Sequence, residues 1–168
     1  YYMDYKGFQN SHGGSGQGKI LDRIWEAQQT APDLARAYDA FYPMMDDPQV
    51  VSFLNEKAVQ YNLENDKSTP EKIRENGENG ILREIYKGCK NVSISGNFGM
   101  MQTALGLAAV ALDTMPETAE WIDFVMQPGT TNYSSDICTG GNVLPALINQ
   151  IGRDGIGDEN APGYNYIW

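Results

Sequence analysis

Ala104-Leu105-Gly106-Leu107-Ala108-Ala109-Val110-Ala111-Leu112 is the stretch whose reading decides the fold. It is apolar on nearly every face of a helix, so it requires neighbours all round. The stretch closes an uncharged run from Asn91 to Leu112, whose first half carries Asn91, Ser93, Ser95, Asn97, Gln102 and Thr103. A spanning helix needs about 20 apolar residues in a row. The run falls far short, and is expected to be a buried helix of a soluble protein.

Working outward, helix starts are marked by their caps. A Ser, Thr or Asp side chain accepts a bond from an orphan N–H, and proline fits the first turn without losing one. Thr30-Ala31-Pro32-Asp33 precedes the helical stretch 34–41, and Asp47-Pro48 precedes 50–54. Ser68-Thr69-Pro70-Glu71 and Thr114-Met115-Pro116-Glu117 both have the capping-box form, with the acid three residues after the hydroxyl. Val51, Leu54, Ala58 and Tyr61 share one helical stripe, as do Ile20, Ile24 and Trp25. The 91–95 segment alternates briefly and reads as an extended connector; no comparable strand run exists. These signals predict about seven helices, near 18–29, 32–44, 48–63, 70–88, 98–112, 116–126 and 142–152. The expected fold is all-α, helix on helix, with 1–168 a single helical domain. The segments 7–18, 127–141 and 154–164 are polar loops, and long loops inside a compact domain are usually functional or disordered.

Composition bounds the function. With 22 Asp plus Glu against 12 Lys plus Arg, the formal charge is −10. That disfavours nucleic acid, which is held by phosphate-neutralising basic surfaces, and a polybasic membrane-surface module. Hydrophobic residues make up 41% of the chain, enough to bury a core. Cys89 and Cys138 fit neither a metal knuckle nor a disulfide framework, and leave open one disulfide or two thiols. No signal-peptide pattern is visible. The opening Tyr1-Tyr2-Met3 and the closing aromatic run 164–168 suggest a piece of something longer.

Several patterns fail as sites. The 13–19 stretch has phosphate-loop spacing, but Ile20 stands where a magnesium-binding Ser or Thr is needed and no hydrophobic strand precedes it. His12 alone cannot build a histidine metal cluster. Asp154, Asp158, Glu159 and Asn160 lack the alternating ligands of a calcium loop. No metal and no cofactor is expected. Glu117, Glu120 and Asp123 lie at helical spacing, where a first-turn acid complements the helix dipole. A glycosidase needs two carboxylates facing each other across a cleft, and hydrolysis stands as the runner-up.

Two segments are odd for structure alone. Ser95-Gly96-Asn97-Phe98-Gly99-Met100-Met101-Gln102 puts two amides and two glycines at the mouth of the buried helix, as caps or as ligands. The segment from Asp154-Gly155 through Asn160-Ala161-Pro162-Gly163-Tyr164-Asn165-Tyr166 presents tyrosines after a Pro-Gly turn. Preceded in the chain by Gly18-Lys19-Ile20-Leu21-Asp22-Arg23-Ile24-Trp25-Glu26, they carry a resemblance. The chain resembles the helical domain of heparinase II/III-like and oligo-alginate-lyase-like polysaccharide lyases, an incomplete (α/α) toroid of antiparallel helix pairs followed by a β-sandwich domain, which is expected to be absent from this chain.

The resemblance implies β-elimination at a uronic acid of an acidic polysaccharide. The proton beside a carboxylate is barely acidic until donors neutralise that carboxylate and stabilise the enolate-like charge. By the resemblance Asn97 neutralises and Gln102 assists. Tyr164, with Tyr166 as the fallback, takes the C5 proton and protonates the leaving oxygen. Arg23, Trp25 and Asn160 are implied in substrate binding. Where relatives often carry a histidine this chain has Met101, which donates no hydrogen bond, so the resemblance implies either a weaker neutralisation or one carried partly by His12 or by a residue outside the chain. The implied location is the periplasm or the exterior of a bacterium. The other readings are a glycoside hydrolase on a similar toroid and a non-catalytic glycan-binding helical domain.

Overall fold

A computed structural model describes residues 2–4, 26–96 and 98–149. Described residues are mainly helical. The long helices are α1 (Glu26–Phe41), α2 (Pro48–Gln60), α3 (Pro70–Gly77), α4 (Arg83–Lys90), α5 (Met100–Leu112), α6 (Glu117–Met126) and α7 (Val143–Asn149). Short 3-10 turns occupy Tyr2–Asp4 and Tyr42–Asp46, and a π turn at Glu78–Leu82 joins α3 to α4 in one helical rod. None of the helices among the described residues is long and apolar enough to cross a membrane.

α1 corrects one expectation. The cap signal at Thr30 predicted a break between helices at 18–29 and 32–44, yet α1 runs through Pro32. An interior proline removes the N–H that would bond four residues back and costs ~3 kcal/mol. Burial competes with that cost. Ala31, Ala35 and Tyr38 recur at helical spacing and are almost wholly buried, and this face packs along α5. Residues 18–25 lie outside the described set.

Other caps behave as the sequence suggests. Asp47 accepts from the Gln49 N–H at 2.8 Å and starts α2. α2 ends with Asn62 at φ 49°, where the Asn62 N–H reaches Val59 O at 3.2 Å and the Leu63 N–H reaches Ala58 O at 2.9 Å. This is the paired closure that a left-handed residue after a helix allows. Ala58 is buried and Val51 and Leu54 are half-buried, but Tyr61, on the same predicted stripe, is exposed. Thr69, not Ser68, caps α3 through the Lys72 N–H. Thr114 does not cap α6. Its N–H donates to Thr118 Oγ1 (2.9 Å), the Thr118 hydroxyl donates to Ala109 O (3.1 Å), and Glu117 is drawn off to Arg83.

α5 is the centre of the core, packed by α1, α4 and α6. Met101, Ala104, Leu105, Ala108, Ala109 and Leu112 are buried, a stripe at helical spacing. The predicted all-round burial is not met: Val110 is 69% exposed, and Leu107 and Ala111 are only partly covered. Trp121 of α6 is fully buried and stacks on Tyr86 of α4, ring centres 5.0 Å apart. Arg83 adds a two-pronged bond to Glu117, at 2.9 and 2.8 Å.

The 91–95 segment is not the extended connector expected. It coils into turns, with buried Val92 at φ 65°, and the Ile94 N–H returns to Gly88 O at 2.9 Å. A positive φ is strained for a β-branched residue. A small antiparallel ladder is also present, β1 (Thr131–Asn132) with β2 (Ile137–Cys138), pairing Thr131 with Cys138 and Asn132 with Ile137. The sequence shows no alternating run there because two-residue strands are too short to carry one.

Candidate functional site

The approach to α5 is built on glycines. Gly96 and Gly99 have φ of 145° and 99°, values that only glycine adopts at little cost. They bracket Asn97-Phe98 in sequence and set the turn into the helix. At the third position of α5 the Gln102 amide reaches back: its Oε1 accepts from the Gly99 N–H at 2.9 Å. This is the side-chain half of a capping box. The other end of the same amide, Nε2, donates to the Gly141 carbonyl at 2.7 Å. One side chain therefore pins two segments that lie far apart in sequence.

The second segment is the 127–142 loop, which folds into a closed hairpin. The Asn142 amide clamps its base, donating to Gly129 O (2.9 Å) and accepting from the Gly129 N–H (2.8 Å). The Gly141 N–H bonds Phe124 O at 2.7 Å and so ties the hairpin to the end of α6. At the tip, Asn132 Oδ1 accepts from the Ser134 and Ser135 N–H groups at 2.9 and 3.2 Å. The polar residues that made this loop a candidate are largely spent on holding its shape.

Between the two segments lies a cavity of ≈160 Å³. Its walls include strained Val92, Ile94, Phe98, Met101 and Gln102 on one side and Thr131, Tyr133, Cys138 and Asn142 on the other. Phe98 and Tyr133 are exposed aromatics at this cavity. Among the described lining residues there is no Asp, Glu, Lys or Arg. Both thiols are free. Burial, reinforced by the nearby Cys138, pushes the Cys89 thiol far above the ordinary range.

A larger cavity, ≈410 Å³, lies by Met3 and α3. Its polar groups serve the structure. Lys72 pairs with Asp66, whose carboxyl is pulled down to about 2 by hydrogen bonds from Lys72 and Ser68. Beside it, the buried ammonium of Lys67 holds Asp4 at 2.8 Å. Burial alone would raise the Asp4 carboxyl, but bonds from Lys67, Asn65 and Asn76 outweigh it and leave the carboxyl below the usual range.

Of the residues singled out in the sequence, Gln102 and Met101 are at the smaller cavity. Asn97, Tyr164, Tyr166, His12, Arg23, Trp25 and Asn160 lie outside the described residues. Gly96 and Phe98, on either side of Asn97 in the chain, both line the cavity. The runner-up carboxylates are elsewhere. Glu117 is held down by hydrogen bonds from Arg83, and Glu120 and Asp123 are exposed; none of the three lines the cavity. Sequence reasoning missed Tyr133, Thr131 and Asn142. The signal for them was the polar, turn-rich character of 127–141, which marks a loop but not its partner. No family model, curated protein or solved structure matches the chain.

Proposed function

We propose that the chain is the helical part of a polysaccharide lyase that cleaves a uronic-acid-containing glycan by β-elimination. The observation that carries this reading is the cavity lined by Gln102, whose amide bonds both Gly99 and Gly141 and so links the start of α5 to the hairpin. It is small, flanked by Phe98 and Tyr133, and free of acidic side chains among its described lining residues, although the chain has 22 acids. A sugar ring stacks on aromatic faces, and a sugar carboxylate meets no like charge there.

In this reading the Asn97 carboxamide donates to the uronate carboxylate and stabilises the charge that develops as C5 loses its proton. Tyr164, or Tyr166, accepts that proton and delivers one to the glycosidic oxygen as the C4–O bond breaks. One half of the chain becomes a new end; the other carries a C4–C5 double bond. Gln102 acts by placement, since both ends of its amide are engaged; His12, Arg23, Trp25 and Asn160 complete the substrate contacts. Arg23, Lys19 and Arg153 supply positive charge that a polyanion needs in a chain of −10. A toroid is built of antiparallel helix pairs, and the packing of α5 against α6 across the short 113–116 connection supports that reading. A polymeric substrate of this kind places the protein in the periplasm or outside the cell.

The absence of any acid or base stronger than a phenol or thiol among the described lining residues favours a second reading, a non-catalytic glycan-binding domain. One experiment separates them. The full-length protein is incubated with a panel of uronate polymers, and ultraviolet absorbance of the unsaturated uronate is followed beside new reducing ends. A lyase yields both, and Tyr164→Phe, or Tyr166→Phe if the fallback holds, abolishes them. Reducing ends without absorbance mean a hydrolase, and binding without either product means the second reading.

A further inference from the structure

Cys89 and Cys138 are the chain's two cysteines. Both are buried and free, and both lie in the wall of the same cavity. They come from elements far apart in sequence, α4 and β2, that pack against each other. Their present hydrogen bonds are long: Cys89 Sγ reaches Met101 O at 4.0 Å, and Cys138 Sγ reaches Gly140 O at 3.6 Å. Little is lost if the S–H groups go. The two sulfurs are not equivalent. Cys138 keeps a little exposed surface and accepts a hydrogen bond from the Thr131 hydroxyl at 3.6 Å, whereas Cys89 has no exposed surface.

We infer that Cys89 and Cys138 form a redox pair which a low-molecular-weight disulfide converts into a bond stapling the 127–142 hairpin to α4 across the cavity wall. The step proceeds by exchange. The Cys138 thiolate attacks one sulfur of oxidised glutathione, forming a mixed disulfide and releasing one glutathione thiolate. The Cys89 sulfur then attacks Cys138 Sγ, expelling the second glutathione. The two cysteine protons end on the two glutathione thiols; the cysteines are oxidised by two electrons and glutathione disulfide is reduced. The bond closes a loop of about 50 residues, and such a constraint on the unfolded chain raises the melting temperature by roughly 10 °C. The inference does not depend on the substrate.

The test uses the full chain, reduced and then exposed under native conditions to oxidised glutathione. Thiol titration in denaturant should fall from two groups per chain to none, intact mass should drop by about 2 Da, and peptide mapping should join the Cys89 and Cys138 peptides. Melting should rise by roughly 10 °C and return on reduction. Cys89→Ser should stop at a glutathione adduct on Cys138, and Cys138→Ser should leave Cys89 unmodified. Two thiols persisting after oxidation, a stable adduct in the unsubstituted protein, or adduct formation at Cys89 in Cys138→Ser would each overturn the inference.

Discussion

Replacing Gln102 isolates the joint on which the cavity depends. Gln102→Leu keeps the bulk of the side chain and removes both bonds, the one to the Gly99 N–H and the one to the Gly141 carbonyl. A helix cap is worth ~1 kcal/mol. A carbonyl left without its partner in a partly buried place adds ~1–2 kcal/mol, for a total of ~2–3 kcal/mol. In a domain of this size that lowers the melting temperature by roughly 4–12 °C. Gln102→Glu keeps the acceptor for Gly99, gains from the helix N-terminus, and loses only the donor to Gly141, so it should cost ~1–2 kcal/mol at neutral pH. Differential scanning calorimetry ranks the variants. Native-state hydrogen exchange then locates the loss, which should speed exchange at Gly99 and in the 129–142 hairpin while leaving α2 unchanged. If Gln102→Leu is no less stable than Gln102→Glu, or if the hairpin amides keep their protection, the amide is not what pins the two segments.

Three other outcomes follow from the core. Asp4→Asn should cost ~3–5 kcal/mol in chemical denaturation, because it leaves the buried Lys67 ammonium without its counter-charge. The Asp4 carboxyl is lowered in the folded chain, so its contribution is complete above the ordinary carboxylate range and lost as pH falls through the folded value; the wild-type advantage over Asp4→Asn should shrink below about pH 4. The Tyr38 phenol, buried against Glu78, is raised. Its stabilisation is present below about pH 10 and lost as pH rises further, so Tyr38→Phe should lose less stability than wild type on titration above that point. Gly77→Ala would place a Cβ 2.7 Å from the Tyr38 ring, a crowding cost of ~1–3 kcal/mol that should outweigh the ~1 kcal/mol gained in helix propensity, and a measured increase in melting temperature would contradict the packing.

Local rules were readable wherever one residue decides a local event. Asp47-Pro48 and the Thr69-Pro70 cap start their helices as the side-chain chemistry predicts, and the Ala104–Leu112 run forms the central helix because no polar group in it needs water. The same rules misread Thr30-Ala31-Pro32-Asp33. A cap and a proline describe a start only if nothing distant opposes it, and here the face carried by Ala31, Ala35 and Tyr38 has α5 to pack against. Thr114 failed for a similar reason, since Thr118 and Arg83 compete for the groups a capping box would use.

The sequence by itself determined that the chain folds from helices around the 104–112 segment, and that the two glycines and two amides before it make an unusual turn, since both follow from backbone preference and short-range bonding. Only the tertiary structure decided what that turn faces. Nothing near Gln102 in sequence names Gly141 as its partner, nor Cys138 as the companion of Cys89. Such pairings arise when the packing of α4, α5 and α6 brings the 127–142 hairpin back against the start of α5. Long-range contacts leave no local periodicity, so the cavity, its aromatic rims and its two thiols appear once the chain has closed on itself.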